Sequence, residues 1–399
     1  MVDLKLLRHY LTNTAGKMSL NAQRKLVWQR VIPDLAEKEE YLMHLLLALA
    51  GVHLTIEERL CIKRGNDEYM EGKERNDDGE YSGKAGSVDL FYIIEHHQKG
   101  LQGFREALST MSAATAESVF CGSFLLVAFA FASLRVRDLD GFDQTQPRDG
   151  DANGYPRLDW LHLIRGLTSV VRQHWFALKA GRLRTMFFYR YANDDWKSSP
   201  PSSTSSFPRL RHCSRRLSKF ARGARQALSS LRTFTNTLRL EVRAESESIL
   251  TSAPQDSSSS SSSDTDTLLR EQSNAIDQLE ETYMRTLHIL QFTESEQNCS
   301  VALDVQTDLE EAAITSWPHS MPIAFICSLQ SGGDIGIMGG ALYTILAHFY
   351  LVHVMFEDLW YFQGAFEKEI MKIYGLVGKL EDDQLNSLMR WPMVVIDEP

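Results

Sequence analysis

The sequence predicts an all-α fold, and three observations carry that prediction. Proline is absent between Pro33 and Pro147 and again between Pro322 and Pro392. These stretches are rich in Leu, Ala, Met, Glu and Lys, which favour helix interiors, whereas proline removes a backbone donor and breaks them. Apolar residues recur at helical spacing. Period-two alternation of β-branched residues is nearly absent; Val394-Val395-Ile396 alone hints at a short strand.

Taken in order, Tyr41 to Leu54 is apolar nearly all round, which predicts a helix in the middle of a core. Leu101, Phe104, Leu108 and Met111 share one helical face. So do Ile276, Leu279, Tyr283, Leu287 and Leu290, and again Phe366, Ile370, Ile373, Val377 and Leu380. Ser118–Leu134 and Ile335–Phe356 contain no Asp, Glu, Lys or Arg and approach the length that spans a bilayer. Their serines, glycines and histidines, and the lack of a following Lys/Arg cluster, favour buried core helices, so no membrane span is expected. A pair of spanning helices is the competing reading.

Three stretches read as unstructured: Gly65–Gly86, Asp138–Gly154 and, longest, Ser198–Asp266 with its serine run Ser257–Ser263. Little apolar surface is available there to offset the entropy of ordering. The expected organisation is one helical domain whose halves, 1–195 and 268–399, flank a disordered Ser/Arg-rich insertion at 196–267. A short helix around Ala224–Leu240 fits inside it. Deleting Ser198–Asp266 is expected to leave the fold intact, because loop length costs little.

The chain has 399 residues, 43% of them hydrophobic, which supports a large core. A net charge of −10 argues against a nucleic-acid surface spread over the whole chain. Cys61, Cys121, Cys213, Cys299 and Cys327 are scattered, with no Cys-x-x-Cys pair. That excludes a disulfide framework and a cysteine zinc cluster read from spacing. The start, Met1-Val-Asp-Leu-Lys, lacks signal-peptide character.

No nucleophile elbow, zinc-protease motif, phosphate loop or dinucleotide fingerprint occurs, so no catalytic residue and no enzyme activity are expected. Gly332–Gly340 is glycine-rich but lacks the lysine of a phosphate cradle and reads as a helix-joining loop or a close-packing site. His96 and His97 are adjacent, His44 and His53 nine apart, and His348 and His353 five apart. None has the i, i+4 spacing of a two-histidine helical metal site, so core histidines and no metal are expected.

Arg209, Arg211, Arg215, Arg216, Lys219, Arg222 and Arg225 form a basic run without an acid. It suits nuclear import, or is a solvated linker. Phe120, Phe124, Leu125, Phe129 and Phe131 form one bulky apolar set. Around the glycine-rich segment, Phe325, Met338, Gly339, Leu342, Phe349 and Trp360 are the candidate ligand-binding residues for an apolar molecule. A merely well-packed core is the other reading of the same residues.

Several words resemble one family. Leu6-Leu-Arg-His-Tyr-Leu11, Val27-Trp28 and Leu42-Met-His-Leu-Leu-Leu-Ala-Leu-Ala50 resemble the opening of the regulatory domain in fungal zinc-cluster transcription factors, in the sterol uptake control branch. His96-His97 with Phe104-Arg105 and Leu108 resembles its next helix, and Trp160-Leu-His-Leu-Ile-Arg-Gly166 a later one. Ala341-Leu-Tyr-Thr-Ile-Leu-Ala-His-Phe349, Trp360 and Trp391-Pro392 resemble its ending. The resemblance implies a nuclear regulator of RNA polymerase II transcription that shuttles from the cytoplasm and senses a sterol or other apolar ligand. The alternative is a ligand-free module that dimerises or holds a co-regulator. The two-zinc cysteine cluster of the family is missing from this chain, so no cofactor and no direct DNA contact are expected.

Overall fold

The computed structural model describes residues 2–70, 89–136, 155–187, 195–198, 207, 209–210, 213–252, 259–291, 301–310, 323–330, 336–356 and 358–397. Among these the helices run α1 (Val2–His9), α2 (Ala22–Leu26), α3 (Ile32–Ala36), α4 (Glu40–Met70), α5 (Leu90–Ser109), α6 (Ala116–Ser133), α7 (Asp159–Gln173) and α8 (Trp175–Ala180). They continue as α9 (Asp195–Ser198), α10 (Arg215–Ser252), α11 (Ser259–Gln291), α12 (Val301–Leu309), α13 (Ile323–Gln330), α14 (Ile337–Val354), α15 (Ala365–Gly378) and α16 (Asp383–Ile396). No strand occurs among the described residues, and the fold is all-α.

The chain divides into two compact units. The first comprises Met1–Pro147, His162–Phe187 and Leu359–Ala365; the second comprises Arg148–Leu161, Phe188–Asp358 and Phe366–Pro399.

The first unit is built around α4. From Tyr41 to Ile56 this helix is buried almost all round, as its uniformly apolar sequence requires, and α1, α3, α5 and α6 pack against it. Asp89 caps α5 by accepting a hydrogen bond from Phe91 N. The α5 backbone comes close to α4 because Gly103 has no side chain; a Cβ there would lie 2.6 Å from Tyr41 Cβ. Helix α6 buries Val119, Phe120, Cys121 and Leu125, and Phe120 stacks on Phe187 at 4.9 Å. Leu108, placed by spacing on a buried face, is 41% exposed near the end of α5.

The second unit centres on α14, buried from Gly340 to Val354, with α11, α13 and α16 against it. Ile276, Leu279, Tyr283, Leu287 and Leu290 line the inner face of α11 as their spacing predicts, and Phe366, Ile370, Ile373 and Val377 do the same on α15. The two uncharged runs form α6 and α14; both have the length and hydropathy to cross a membrane, and their apolar windows are 72% and 83% buried within the fold.

Three expectations are corrected. Residues 215–252, expected to lie in a disordered insertion apart from a short helix, form the long helix α10, which packs on α11 and α16. Leu217, Phe220, Ala224, Leu228, Leu231 and Leu238 recur at helical spacing and are all buried. Serine and arginine between them lower the average hydropathy without breaking the stripe. Val394–Ile396 is not a strand but the end of α16, in which Pro392 is accommodated. Residues 65–70, expected to open a loop, continue α4. The rest of that stretch and Asp138–Gly154 lie outside the described residues, as do Ser257, Ser258 and residues 332–335.

Candidate functional site

In the first unit, α4 carries His44 and His53, and each meets a histidine from another helix. His9, the last residue of α1, places Nε2 3.2 Å from His53 Nδ1. Thr14 Oγ1 lies 2.9 Å from the same Nδ1. Glu57, one turn beyond His53, sets Oε1 3.4 Å from His53 Nε2 and Oε2 3.7 Å from His9 Nε2. Lys17 donates to Glu57 Oε1 at 2.6 Å, and Asn13 Nδ2 donates to Oε2 at 3.4 Å.

The local backbone explains this convergence. After α1 the chain widens into a π turn, Tyr10–Thr14, and then tightens into a 3-10 turn, Ala15–Lys17. Such changes of winding redirect side chains and recur at functional sites. Here they bring Asn13 and Lys17 onto Glu57 and Thr14 onto His53 Nδ1. The Tyr10 hydroxyl donates to Trp28 O at 3.0 Å and anchors the turn. The Trp360 ring packs against His53, with centroids 4.3 Å apart.

Burial holds His53 down to about 4, against the Glu57 carboxylate that favours its charged form. Burial also lowers His9. For Glu57, burial pushes the carboxyl up, but the Lys17 hydrogen bond and the adjoining His53 outweigh it and hold it below the usual carboxylate range. At neutral pH the cluster is thus two neutral imidazoles and one carboxylate.

A second pair lies further along α4. His44 Nδ1 and His96 Nδ1 are 2.8 Å apart, and His96 Nε2 lies 3.3 Å from Asp3 Oδ1. Glu40 is 3.7 Å from His44 Nε2. Burial, then His96, lowers His44.

The candidate ligand residues fall elsewhere. Phe325 on α13, and Leu342 and Phe349 on α14, are fully enclosed in the second unit. Met338 and Gly339 form the partly exposed first turn of α14, where Met338 O accepts from Gln272 Nε2 at 3.2 Å. Trp360 belongs to the first unit and stands over His53 rather than with the other five. A cleft of about 510 Å³ opens in the first unit, lined among others by Leu26, Arg30, Glu117, Arg182 and Thr185 and by none of these six.

The basic run is partly tied down. Arg209 is buried, pairs with Asp308 at 2.8 Å and donates to Ile289 O. Arg216 pairs with Glu367 at 2.7 Å, and Lys219 donates to Asp397 O. Arg225 is half-buried, Arg215 and Arg222 on α10 are exposed, and Arg211 lies outside the described residues.

The sequence reading missed the His9–His53–Glu57 cluster. Its one local signal is His53–Glu57 at i, i+4 on a helix, a histidine–carboxylate spacing rather than a two-histidine one. His9, 44 positions away, is brought in by helix packing alone.

No match was found among curated proteins. A family model described as the fungal-specific transcription factor domain matches residues 5–215, which takes in most of α1 and all of α2 to α9. That match spans more than half of the 399 residues, and the chain belongs to the family of fungal-specific transcription factor domains.

Proposed function

We propose that the chain regulates RNA polymerase II transcription as a ligand-free contact module, holding a co-regulator or a second copy of itself. Membership of the transcription factor family supports the regulatory role, and that family is in general not enzymatic. One observation favours contact over ligand sensing. The residues expected to line an apolar cavity are closed against their neighbours: Phe325 and Phe349 are 0% exposed and Leu342 is 3% exposed. Large apolar side chains stand in solvent instead, with Phe176 87% and Leu240 66% exposed.

The competing reading is a sensor for a sterol, in line with the resemblance to sterol uptake control proteins. The half-exposed Met338–Gly339 turn, leading to buried Leu342 and Phe349, would be the way in. Light scattering on the purified chain, together with titration by a fluorescent sterol, separates the two. A concentration-dependent dimer without sterol binding is the expected result. Saturable sterol binding at micromolar ligand by a monomer overturns it. The protein would act in the nucleus, with exposed Arg215 and Arg222 contributing to import. Unchanged nuclear localisation of the Arg215→Ala/Arg222→Ala variant would remove that role.

A further inference from the structure

We infer that His9, His53 and Glu57 form a binding site for a zinc-type divalent transition metal, which would tie the end of α1 to the middle of α4. One donor atom from each residue lies within 4.8 Å of the other two. Glu57 Oε1 lies 3.4 Å from His53 Nε2 and Glu57 Oε2 3.7 Å from His9 Nε2, while the 3.2 Å approach of His9 Nε2 is to the other ring nitrogen, His53 Nδ1. A tetrahedral ion with metal–nitrogen bonds of roughly 2.0–2.1 Å holds its ligands about 3.3 Å apart, so donors already within 4.8 Å close on it by side-chain rotation alone. Two imidazoles and one carboxylate are a known zinc donor set that leaves a fourth position for water.

The surroundings suit a metal site. With His53 Nε2 toward the ion, its Nδ1–H donates to Thr14 Oγ1 at 2.9 Å, the outer contact that fixes the orientation of a ligating ring. Both rings are buried, while Glu57 is 27% exposed on its side chain and gives a path from solvent. Lys17 stands where a cation is wanted, with its ammonium on Glu57 Oε1. Its side chain is 53% exposed and free to swing outward, so it serves as the counter-charge when no metal is bound. Nitrogen donors favour zinc, cobalt or nickel over magnesium or calcium, which prefer oxygen cages.

The test is calorimetric titration of the purified full chain with zinc chloride, with cobalt chloride absorption as the second readout. One equivalent is expected to bind, with a tetrahedral cobalt spectrum lacking a sulfur charge-transfer band. Magnesium at the same concentration should not compete. Glu57→Gln and His9→Gln should each weaken binding beyond the roughly 10–100-fold that loss of an outer-shell partner costs. Lys17→Met should tighten it several-fold. Circular dichroism checks folding; if His9→Gln unfolds, the partly exposed Glu57 carries the test. No stoichiometric binding at micromolar zinc overturns the inference. So does a cobalt–thiolate band, which would assign the ion to a cysteine such as exposed Cys61 or exposed Cys327. Affinity unchanged in both Glu57→Gln and Lys17→Met also overturns it.

Discussion

The two units are each centred on a helix that is buried nearly all round and carries two histidines, and the contrast lies in what meets those histidines. On α4, His53 faces His9, Thr14 and Glu57. On α14, His348 places Nδ1 2.8 Å from Thr344 O, and its ring lies 5.6 Å from that of Trp391; the His353 ring lies 4.3 Å from that of Phe366. Burial lowers His348 to about 4 and His353 to about 3, opposed by a backbone carbonyl in each case. Burial lowers His53 to about 4 as well, but there a carboxylate opposes it. Similar pKa values therefore arise in two settings: an aromatic core that needs neutral rings to fill space, and a polar cluster with several donor atoms within 4.8 Å of one another.

The largest test of the comparison is to remove α10. Deleting residues 215–252 strips the stripe from Leu217 to Leu238 off α11 and α16, along with the partner of Trp391. Calorimetry should show loss of the cooperative unfolding of the second unit, whereas a solvated insertion would leave the transition in place.

Acid comes next. The folded pKa values of His348 and His353 lie below the 6.5 of an unfolded histidine, so the unfolded chain binds more protons as pH falls. Stability should be intact above pH 6.5 and decline between 6.5 and about 3, by about 2 kcal/mol per histidine at pH 5. Urea unfolding at several pH values measures this. His353→Phe should flatten the slope by one proton's worth, and an unchanged slope would show that His353 is not the titrating group.

Gly223→Ala probes the aromatic packing beside His348. A Cβ at 223 would lie 1.9 Å from Trp391 Nε1, so the indole must move. The expected loss is about 1–3 kcal/mol, typical of overpacking, read as a lower urea midpoint with unchanged slope.

The smallest effect sharpens the contrast most. In the metal-free chain, Glu57→Gln removes the charge that favours protonated His53, so the His53 titration followed by NMR should move to lower pH. Neutral-pH stability should change by less than about 1 kcal/mol, because Glu57 is partly exposed and its ion pair with Lys17 is solvent-screened. A His53 titration that stays in place would show that the carboxylate does not act on the ring.

Much of the fold is written locally in the chain. The proline-free stretches, the face from Ile276 to Leu290 and the uniformly apolar Tyr41–Leu54 are properties of neighbouring residues, and helical geometry turns them directly into buried faces. Helix α10 was also written there, in the spacing of Leu217, Phe220, Ala224, Leu228 and Leu231, but judging the segment by its average composition concealed it. Tertiary structure alone decided the rest. Histidines 44 positions apart become partners when α1 lies along α4, and Trp360 covers His53 rather than joining Phe349. Side-chain chemistry is set by the sequence, but which donors face one another depends on helix packing, and no local period records that.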